Sequence, residues 1–284
     1  MASSQAGGGA GGGRKVAIVT GGASGIGLSM TKYFASEGYA VVIFDVNSAS
    51  GASVAESVAA ESPKATVSFK QTDVSSWETL SATFEEVYKE QGRIDVVMAN
   101  AGISEQGSSS LVTLGEEKPS KPNLKVLDVN LFGAIYSVKL AVHYIQKNEV
   151  DSATNSRGLI VVTSSNAGLY PLPVAPMYSA SKFGVIGLVR SLALPLERVK
   201  IRVNALAPAV LETNIAPSKS LFADMILTPM STLVNGVRKF VENPSLSGEV
   251  AEIHGDNVTL RPPHEVVDED SQKNLDNFWA LGFA

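Results

Sequence analysis

The stretch Thr20-Gly-Gly-Ala-Ser-Gly-Ile-Gly27 lies between a short apolar run, KVAIVT (15–20), and a helical pattern that continues to about Gly38. Short β-branched runs of this kind are typical of strands that are buried on both faces. Glycines in the turn permit positive φ angles and a close approach of the backbone to a ligand. A helix that begins at such a turn directs its first amides at an anion, especially a pyrophosphate. The stretch therefore predicts a phosphate-binding loop that joins a first strand to a first helix.

The alternation of strand and helix patterns continues as far as Pro208. Further strands are predicted at 39–45, 65–73, 93–102, 158–165, 200–208 and, after a break, 248–255. Helices are predicted at about 50–62, 77–92, 126–146, from the stretch YSASK (178–182) onward, and at about 231–242. This rhythm is typical of βαβ units, whose right-handed crossovers place helices on both faces of a parallel sheet. We therefore expect an α/β protein: a single-domain Rossmann fold with a doubly wound parallel sheet of about seven strands.

Changes of composition divide the chain into three parts. We expect residues 1–14 to be a flexible Gly-rich tail, residues 15–260 to form the Rossmann-fold domain, and residues 261–284 to form an acidic C-terminal extension. Within the domain, residues 214–230 mix polar and bulky apolar side chains between prolines, which favours a lid over a substrate. The extension ends in the aromatic sequence FWALGF, and two interpretations stay open for it. It is a solvated tail, or it docks on a neighbouring subunit or near the site.

Composition excludes several classes of function. The chain has 284 residues, of which 44% are hydrophobic and 18% charged, as in an ordinary globular protein. Its net charge of −5 disfavours nucleic acid as a partner. It has no cysteine, which excludes thiolate metal sites, and its three histidines are not spaced as metal ligands. Because no apolar run approaches a membrane span and the first residues lack a signal-peptide pattern, we expect no metal, no membrane span and a cytoplasmic location.

Asp45 stands at the end of the second predicted strand, 18 residues after Gly27. An acid at this place can accept hydrogen bonds from both hydroxyls of an adenosine ribose, and it repels a 2′-phosphate. No lysine or arginine flanks it in FDVNS. We therefore expect NAD as cofactor in preference to NADP. The alternative is an aspartate that only starts a turn.

Tyr178 and Lys182 are four residues apart in YSASK, so a helix would place both on one face. A phenol with an ordinary pKa of about 10 is a poor base at neutral pH. A nearby ammonium group lowers that pKa, and a base works best when its pKa approaches the ambient pH. We therefore expect Lys182 to make Tyr178 a usable base. A pair with this spacing also arises by chance, so the rest of the chain has to support it.

Eight motifs occur in an order and spacing that resemble the short-chain dehydrogenases/reductases. They are TGGASGIG (20–27), the acid Asp45, TDVSS (72–76), ANAG (99–102), VNLFG (129–133), TSSNAG (163–168), YSASK (178–182) and VNALAPA (203–209). Together they span nearly all of residues 15–213. The stretch 228–255 and the polar insert DSATNSRG (151–158) resemble the 15-hydroxyprostaglandin dehydrogenase group, and fungal members share this pattern.

The resemblance implies four catalytic residues. Tyr178 matches the catalytic base and acid, and Lys182 matches the lysine that holds the nicotinamide ribose. Ser165 matches the serine that polarises the substrate oxygen, since it lies 13 residues before Tyr178, and this spacing excludes Ser164. Asn130 matches the asparagine that positions a water in the proton relay.

The resemblance also implies the residues that contact NAD. Asp73 and Val74 match an adenine-binding pair, Asn100 and Gly102 match the turn against the cofactor, and Thr213 matches a threonine that meets the carboxamide. The complete predicted set is Gly21, Ser24, Gly25, Ile26, Gly27, Asp45, Val46, Asp73, Val74, Asn100, Ala101, Gly102, Tyr178, Lys182, Pro208 and Thr213. Two positions depart from the family pattern: Ala99 replaces an asparagine, and Ala209 replaces a glycine.

The activity that the resemblance implies is the interconversion of a lipophilic secondary alcohol and its ketone by hydride transfer, with NAD(H) as cofactor. Expected pocket residues are Leu169, Tyr170, Pro171, Val174 and Met177, with Leu221, Phe222, Met225 and Ile226 from the lid, although apolar residues of this kind also simply pack. The alternatives are a ketone reductase of secondary metabolism, a nucleotide-binding scaffold and a non-redox enzyme on the same fold. The family also implies a homodimer or homotetramer through the long helices that carry Asn130 and Tyr178.

Overall fold

The computed structural model describes residues 13–105, 111, 115–213 and 224–280. Its strands form one sheet in the order β3-β2-β1-β4-β5-β6-β7-β8. The strands are β1 Val16–Thr20, β2 Ala40–Asp45, β3 Thr66–Gln71, β4 Val96–Ala99, β5 Gly158–Thr163, β6 Ile201–Pro208, β7 Val250–His254 and β8 Asn257–Leu260. The first seven pair in parallel, and β8 is antiparallel to β7. The doubly wound parallel sheet predicted from the sequence is therefore confirmed.

The eighth strand is the one strand of the described chain that the sequence reasoning did not predict. It forms a hairpin with β7 in which His254 is paired with Asn257, so the turn consists of Gly255 and Asp256. Gly255 has a φ of 48°, as a tight hairpin turn requires. A Gly-Asp pair between two short runs is itself a hairpin signal. The sequence contains that signal, but NVTL is too short and too polar to predict a strand.

The helices up to α7 lie where the apolar periodicity predicted them, with small shifts at their ends, whereas α8 was not predicted. They are α1 Gly25–Ser36, α2 Ser48–Glu61, α3 Trp77–Gln91, α4 Lys125–Leu127, α5 Gly133–Ile145, α6 Pro176–Arg198, α7 Met230–Glu242 and α8 Glu269–Ala280. A π-helical turn, Asp128–Phe132, joins α4 to α5, so the long helix predicted at 126–146 is present but locally widened. A 3₁₀ turn, Asn166–Gly168, follows β5.

Two apolar layers cover the sheet, one on each face. In β1, Val16 and Ile18 pack into the layer that contains residues of α3, α5 and α6, whereas Ala17 and Val19 pack into the layer that contains residues of α1 and α7. Successive side chains of a strand point to opposite faces, and both faces are covered by helices. This is why β1 reads as a continuous apolar run.

The helix Lys125–Ile145 is long and apolar enough, by length and composition alone, to cross a membrane. Its apolar side nevertheless lies in the core, where Val138, Ala141 and Ile145 are buried. Lys139 of the same helix is exposed. The apolar composition therefore belongs to the packing of this helix against the sheet.

The structure describes only parts of the predicted lid and of the predicted C-terminal extension. Of the expected lid 214–230, residues 214–223 with Leu221 and Phe222 lie outside the described residues, and Ile226 is 93% exposed. In the C-terminal extension, α8 has no buried residue, and Phe278 is 68% exposed. Within one copy of the chain, α8 is therefore a solvent-exposed helix, whereas Arg261 and Pro262 before it accept hydrogen bonds from the Arg190 side chain.

The order of the strands reverses at β1, which has β2 on one side and β4 on the other. In an open α/β sheet this reversal creates a crevice at the carboxyl ends of the strands, and ligands bind there. The glycine-rich turn after β1, Asp45 at the end of β2 and the turn after β4 all lie at this edge.

Candidate active site

At Gly21 and Gly27, the glycine-rich turn after β1 leaves no room for a side chain. Gly21 has a φ of 63°, and a Cβ placed on it would lie 3.0 Å from the Cα of Ala101. A Cβ on Gly27 would overlap the carbonyl oxygen of Gly21. Ser24 precedes α1 without a side-chain capping bond, which leaves the first-turn amides of Gly25 and the next residues for an anionic ligand. The turn therefore fits a pyrophosphate at the start of α1.

Asp45 is held beside this turn. Its Oδ2 accepts a hydrogen bond from the Ala23 amide at 3.2 Å, and its Oδ1 accepts one from the Asn47 amide at 3.1 Å. A carboxylate has about four acceptor positions, so two stay free for ribose hydroxyls. Within the described residues, no lysine or arginine forms an ion pair with Asp45. Val46, the next residue, is largely exposed at the edge of the crevice.

A hydrogen-bond network joins the ends of β1, β4 and β5. The Thr20 Oγ1 accepts bonds of 2.9 Å from the amides of Asn100 and Ala101. The Asn100 Nδ2 donates to the Thr20 carbonyl at 3.1 Å, and the Thr163 Oγ1 donates to the Asn100 Oδ1 at 3.1 Å. Asn100 thus braces three strands from its position in the predicted turn. The sequence reasoning missed Thr20 and Thr163, since a threonine at a strand end carries no distinctive signal.

Asn130 is buried in the π-helical turn and pairs with the backbone of Ile103. Its Oδ1 accepts from the Ile103 amide at 2.8 Å, and its Nδ2 donates to the Ile103 carbonyl at 2.9 Å. The Nδ2 also donates to the Ser181 Oγ at 3.4 Å. The side chain therefore ties the turn after β4 to the helix pair α4–α5. One lone pair of the Oδ1 stays available for the relay water that the resemblance assigns to this residue.

Helix α6 brings Tyr178 and Lys182 together as their spacing predicted. The Lys182 Nζ lies 5.6 Å from the centre of the Tyr178 ring. It donates a hydrogen bond of 2.9 Å to the carbonyl oxygen of Thr163, and only 3% of the residue is exposed. The Ser165 side chain lies beside the Tyr178 phenol, and its hydroxyl donates a hydrogen bond of 3.1 Å to the Asn166 Oδ1. Serine, phenol and ammonium group are therefore assembled at the carboxyl ends of β5 and β4.

The pKa of Tyr178 departs from the sequence-based expectation. Burial raises the pKa of the phenol above its ordinary value, and the hydrogen bond with Ser165 opposes that rise. Burial also lowers the pKa of Lys182 to about 8. In the chain alone the pKa of Tyr178 therefore lies above its ordinary value, because burial outweighs the lowering that was expected from Lys182. The physical reason is desolvation, which disfavours the charged forms of both groups.

The two serines of YSASK form hydrogen bonds with backbone carbonyl groups. The Ser179 Oγ donates to the carbonyl of Ala167 at 2.7 Å, and the Ser181 Oγ donates to the carbonyl of Tyr178 at 2.6 Å. Ser165 caps the 3₁₀ turn, since its Oγ accepts from the Ala167 amide at 3.1 Å. The contacts of Ser179 and Ser165 fix the start of α6 to the turn after β5.

The remaining predicted cofactor residues lie around the same edge. A Cβ on Gly25 would lie 3.3 Å from the Cβ of Thr213, so Thr213 approaches the glycine-rich turn. Val74 is buried against Gly133, which leaves its backbone rather than its side chain for adenine. Asp73 is exposed, and its Oδ1 accepts from the Ser75 amide at 2.9 Å. Pro208 ends β6, Gly102 lies in the turn after β4, and Ile26 is the second residue of α1.

An open cleft of about 580 Å³ lies next to Ser75, on the side of the expected adenine site. Its lining residues are Ser75, Lys121, Pro122, Asn123, Leu124, Lys125 and Asp128. The residues of the proton-transfer group are not part of this lining. The cleft therefore lies beside Ser75 and apart from the proton-transfer group.

The residues expected to line the substrate pocket differ in their exposure. Tyr170 and Val174 are exposed, whereas Met177 is buried in the structure. The Tyr170 hydroxyl donates to the Glu252 Oε2 at 3.1 Å, which fixes the ring beside β7. Among the described residues, no group of three histidine, aspartate or glutamate side chains is placed to hold a metal ion.

Comparison with known proteins identifies several related sequences. A family model for short chain dehydrogenase matches residues 15–223. The short-chain dehydrogenase/reductase prx4 of Penicillium roqueforti is 37% identical over 204 residues, which make up 72% of this chain and 56% of the relative. The ipsdienol dehydrogenase of Ips pini is 30% identical over 260 residues, or 87% of this chain and 97% of the relative. The chain thus spans little more than half the length of the fungal relative.

Solved structures with the same fold include a 3-ketoacyl-(acyl-carrier-protein) reductase from Brucella melitensis complexed with NADH. It superposes with a TM-score of 0.71 and 26% identity over 85% of this chain and 97% of that chain. Both the sequence relatives and this structure therefore place the glycine-rich turn and α6 within a known type of nucleotide-binding fold.

Proposed function

The chain belongs to the short-chain dehydrogenase/reductase family, and from that premise we propose that it interconverts a lipophilic secondary alcohol and its ketone with NAD(H) as cofactor. The observation that carries the proposal is the assembly of Ser165, Tyr178 and Lys182 at the crevice beside the glycine-rich turn. A proton acceptor, a polarising hydroxyl and a cation stand together where a nucleotide is expected to bind. A scaffold or a non-redox enzyme would not need this combination.

The residues of the chain supply the proton transfer. In alcohol oxidation the Tyr178 phenolate accepts the hydroxyl proton of the substrate, and in ketone reduction the phenol returns it. Ser165 holds the same oxygen through its hydroxyl. Lys182, when protonated, favours the phenolate because opposite charges attract. The nicotinamide, when bound, supplies the hydride acceptor or donor.

The proposed preference for NAD rests on Asp45. Its carboxylate is fixed next to the amide of Ala23, and no described cation neutralises it. A 2′-phosphate in this place would meet a negative charge without a compensating group. The NADH complex of the Brucella melitensis reductase supports a nicotinamide cofactor for this fold, and the choice of NAD is our own proposal.

The lipophilic substrate is proposed from the apolar residues near the site. Leu169 packs beside the core, and Tyr170 and Met225 present exposed apolar surface. Because relatives carry both dehydrogenase and reductase names, ketone reduction stays a second candidate direction. The domain boundary at residue 260, the homodimer or homotetramer and the cytoplasmic location stay predictions.

The test is to incubate the purified chain with NAD or NADP and a panel of lipophilic secondary alcohols, and to follow the nicotinamide absorbance. We expect NADH to form, and we expect Tyr178→Phe to abolish its formation. Tyr88→Phe is the matched control, because Tyr88 packs against Tyr144 away from the crevice and loses only its hydroxyl. NADPH formation in place of NADH would overturn the role of Asp45. No reaction with any alcohol or ketone, although NADH binds, would overturn the proposed activity.

A further inference from the structure

We propose that Glu105 is a positioning residue: its carboxylate caps the helix that carries Tyr178 and Lys182 and so sets the place of the phenol in the site. The inference rests on the proposed function, since it assigns Glu105 to the proton-transfer group of that reaction. Glu105 lies in the loop after β4, 73 residues before Tyr178 in the chain.

The start of α6 has no cap of its own. Ala175 stands at the N-cap position and offers no side-chain acceptor, and the first turn contains no acidic residue. Pro176, the first helical residue, has no amide hydrogen. The first amide of the helix that finds a helical acceptor is that of Ser179, which donates to the Ala175 carbonyl at 2.9 Å. The amides of Met177 and Tyr178 are therefore left without an acceptor in the helix.

Glu105 accepts both of these amides. Its Oε2 accepts from the Met177 amide at 2.9 Å and from the Tyr178 amide at 3.0 Å. These are the amides that the side chain of an N-cap residue normally satisfies. A carboxylate at a helix N-terminus also interacts favourably with the helix dipole. Glu105 thus performs from another part of the chain the task that Ala175 cannot perform.

The loop that carries Glu105 is itself fixed to the rest of the site. Two residues earlier, the Ile103 backbone pairs with the Asn130 side chain at 2.8 and 2.9 Å. A Cβ placed on Gly102 would lie 3.3 Å from the Asn130 Oδ1 and 3.6 Å from the Lys182 Nζ. Residues 102–105 therefore connect the end of β4, the π-helical turn and the start of α6. Glu105 is the contact through which this connection reaches the backbone of Tyr178.

This arrangement has a consequence for catalysis. The bonds join the amide of Tyr178 itself, so the loss of the cap frees the residue whose phenol transfers the proton. A small displacement of a reacting group lowers the rate strongly, whereas cofactor binding at the glycine-rich turn does not depend on this bond. A positional effect should therefore appear in kcat and leave the KM for the cofactor almost unchanged.

The test compares Glu105→Ala with Glu105→Gln. The Gln side chain keeps an oxygen acceptor for the two amides, whereas Ala removes it. The substrate is an alcohol that the test of the proposed function identifies. With it, we expect Glu105→Ala to lower kcat about tenfold or more and to change the KM for NAD less than about twofold. We expect Glu105→Gln to retain kcat within about threefold. An unchanged kcat in Glu105→Ala, or equal losses in both variants, would overturn the proposal.

Glu116→Ala is the matched control. Glu116 also accepts a backbone amide and a hydroxyl, both from Ser120, at 3.1 and 2.6 Å, but it touches no residue of the site. Its substitution should leave kcat unchanged. If Glu105→Ala does not fold, Glu105→Asp keeps the charge but shortens the reach, and a kcat between those of the wild type and a Tyr178 variant is then expected. A wild-type kcat in Glu105→Asp, together with wild-type amide exchange at Tyr178, would contradict the proposal.

Hydrogen exchange measured by mass spectrometry separates this inference from the proposed function. Peptides that contain the amides of Met177 and Tyr178 should exchange faster in Glu105→Ala than in the wild type and in Glu105→Gln, whereas the C-terminal half of α6 should not change. If the wild type reduces no NAD but this exchange pattern is found, the cap stands and the proposed function fails. If the wild type is active and neither exchange nor kcat responds to Glu105→Ala, the proposed function stands and the inference fails.

Discussion

The hydroxyl of Ser164 donates a hydrogen bond of 2.8 Å to the backbone carbonyl of Lys182. Ser164 is buried, and a Cβ on Gly168 would lie 2.6 Å from its Oγ, so nothing larger than the present residues fits between β5 and α6. Ser165, the next residue, is instead half-buried, and its side chain interacts with the Tyr178 phenol. Two adjacent serines therefore have different tasks: Ser164 holds the helix, and Ser165 faces the reacting group.

This division predicts different effects of two alanine substitutions on kcat. Ser165→Ala should lower kcat about 100-fold, because it removes a donor to the reacting oxygen. It should also lower the free energy of unfolding by about 1 kcal/mol, because the cap of the 3₁₀ turn is lost. Ser164→Ala should lower the free energy of unfolding by about 1 kcal/mol and reduce kcat far less, because it removes one buried hydrogen bond. Steady-state kinetics and urea denaturation of both variants check the prediction. A larger loss of kcat in Ser164→Ala than in Ser165→Ala would contradict the assignment.

The charge of Asp45 predicts a shift in cofactor preference. Asp45→Asn removes the negative charge while keeping the size of the side chain and an oxygen for the Ala23 amide. We expect the ratio of kcat/KM for NADP to that for NAD to rise about tenfold, since the repulsion of a 2′-phosphate is lost. Asp256→Asn, in the exposed turn between β7 and β8, is the control and should leave the ratio unchanged. The same ratio in wild type and Asp45→Asn would show that the carboxylate does not select the cofactor.

The burial of Lys182 predicts how stability depends on pH. The pKa of Lys182 is about 8 in the folded chain and has an ordinary value of 10.5, so between these values the unfolded chain binds more protons than the folded chain. The free energy of unfolding contributed by this residue therefore rises with pH across that window. We expect the free energy of unfolding of the wild type, minus that of Lys182→Met, to rise by roughly 1 kcal/mol per pH unit between about pH 8 and pH 10. Urea denaturation of the cofactor-free chains at pH 7, 8, 9 and 10 measures it; parallel pH curves for the two proteins would contradict the lowered pKa.

Two exposed aromatic residues distinguish the predicted modes of assembly. Phe183 on α6 is 45% exposed, and Phe278 on the C-terminal helix is 68% exposed. If the long helices form the interface, Phe183→Asp should convert the assembly to a monomer, because a buried charge without a partner is unfavourable. Phe278→Asp should then leave the molar mass unchanged. Size-exclusion chromatography with light scattering measures the mass, and the reverse pattern would show that the extension, rather than α6, joins the subunits.

Local patterns were sufficient for most of the fold. Most of the seven parallel strands were predicted because they are short apolar runs that end at a turn, and burial on both faces makes such runs continuous. The edge strand β3, TVSFKQ, is the exception, since none of its residues is buried. The eighth strand was not predicted because NVTL alternates weakly over only four residues. The helix at 126–146 was predicted, but its π-helical turn was not, since a wider turn leaves the apolar spacing nearly intact.

Local sequence patterns were enough to predict the parallel sheet, the glycine-rich turn and the pairing of Tyr178 with Lys182, because each depends on residues that are close in the chain. The cap from Glu105 to the amide of Tyr178 joins residues 73 positions apart, so only folding brings them together. Folding also sets the direction in which the pKa of Tyr178 moves, since burial raises it. Spacing along a helix shows which groups can meet, but desolvation depends on everything packed around them, and that is set only when the whole chain has folded.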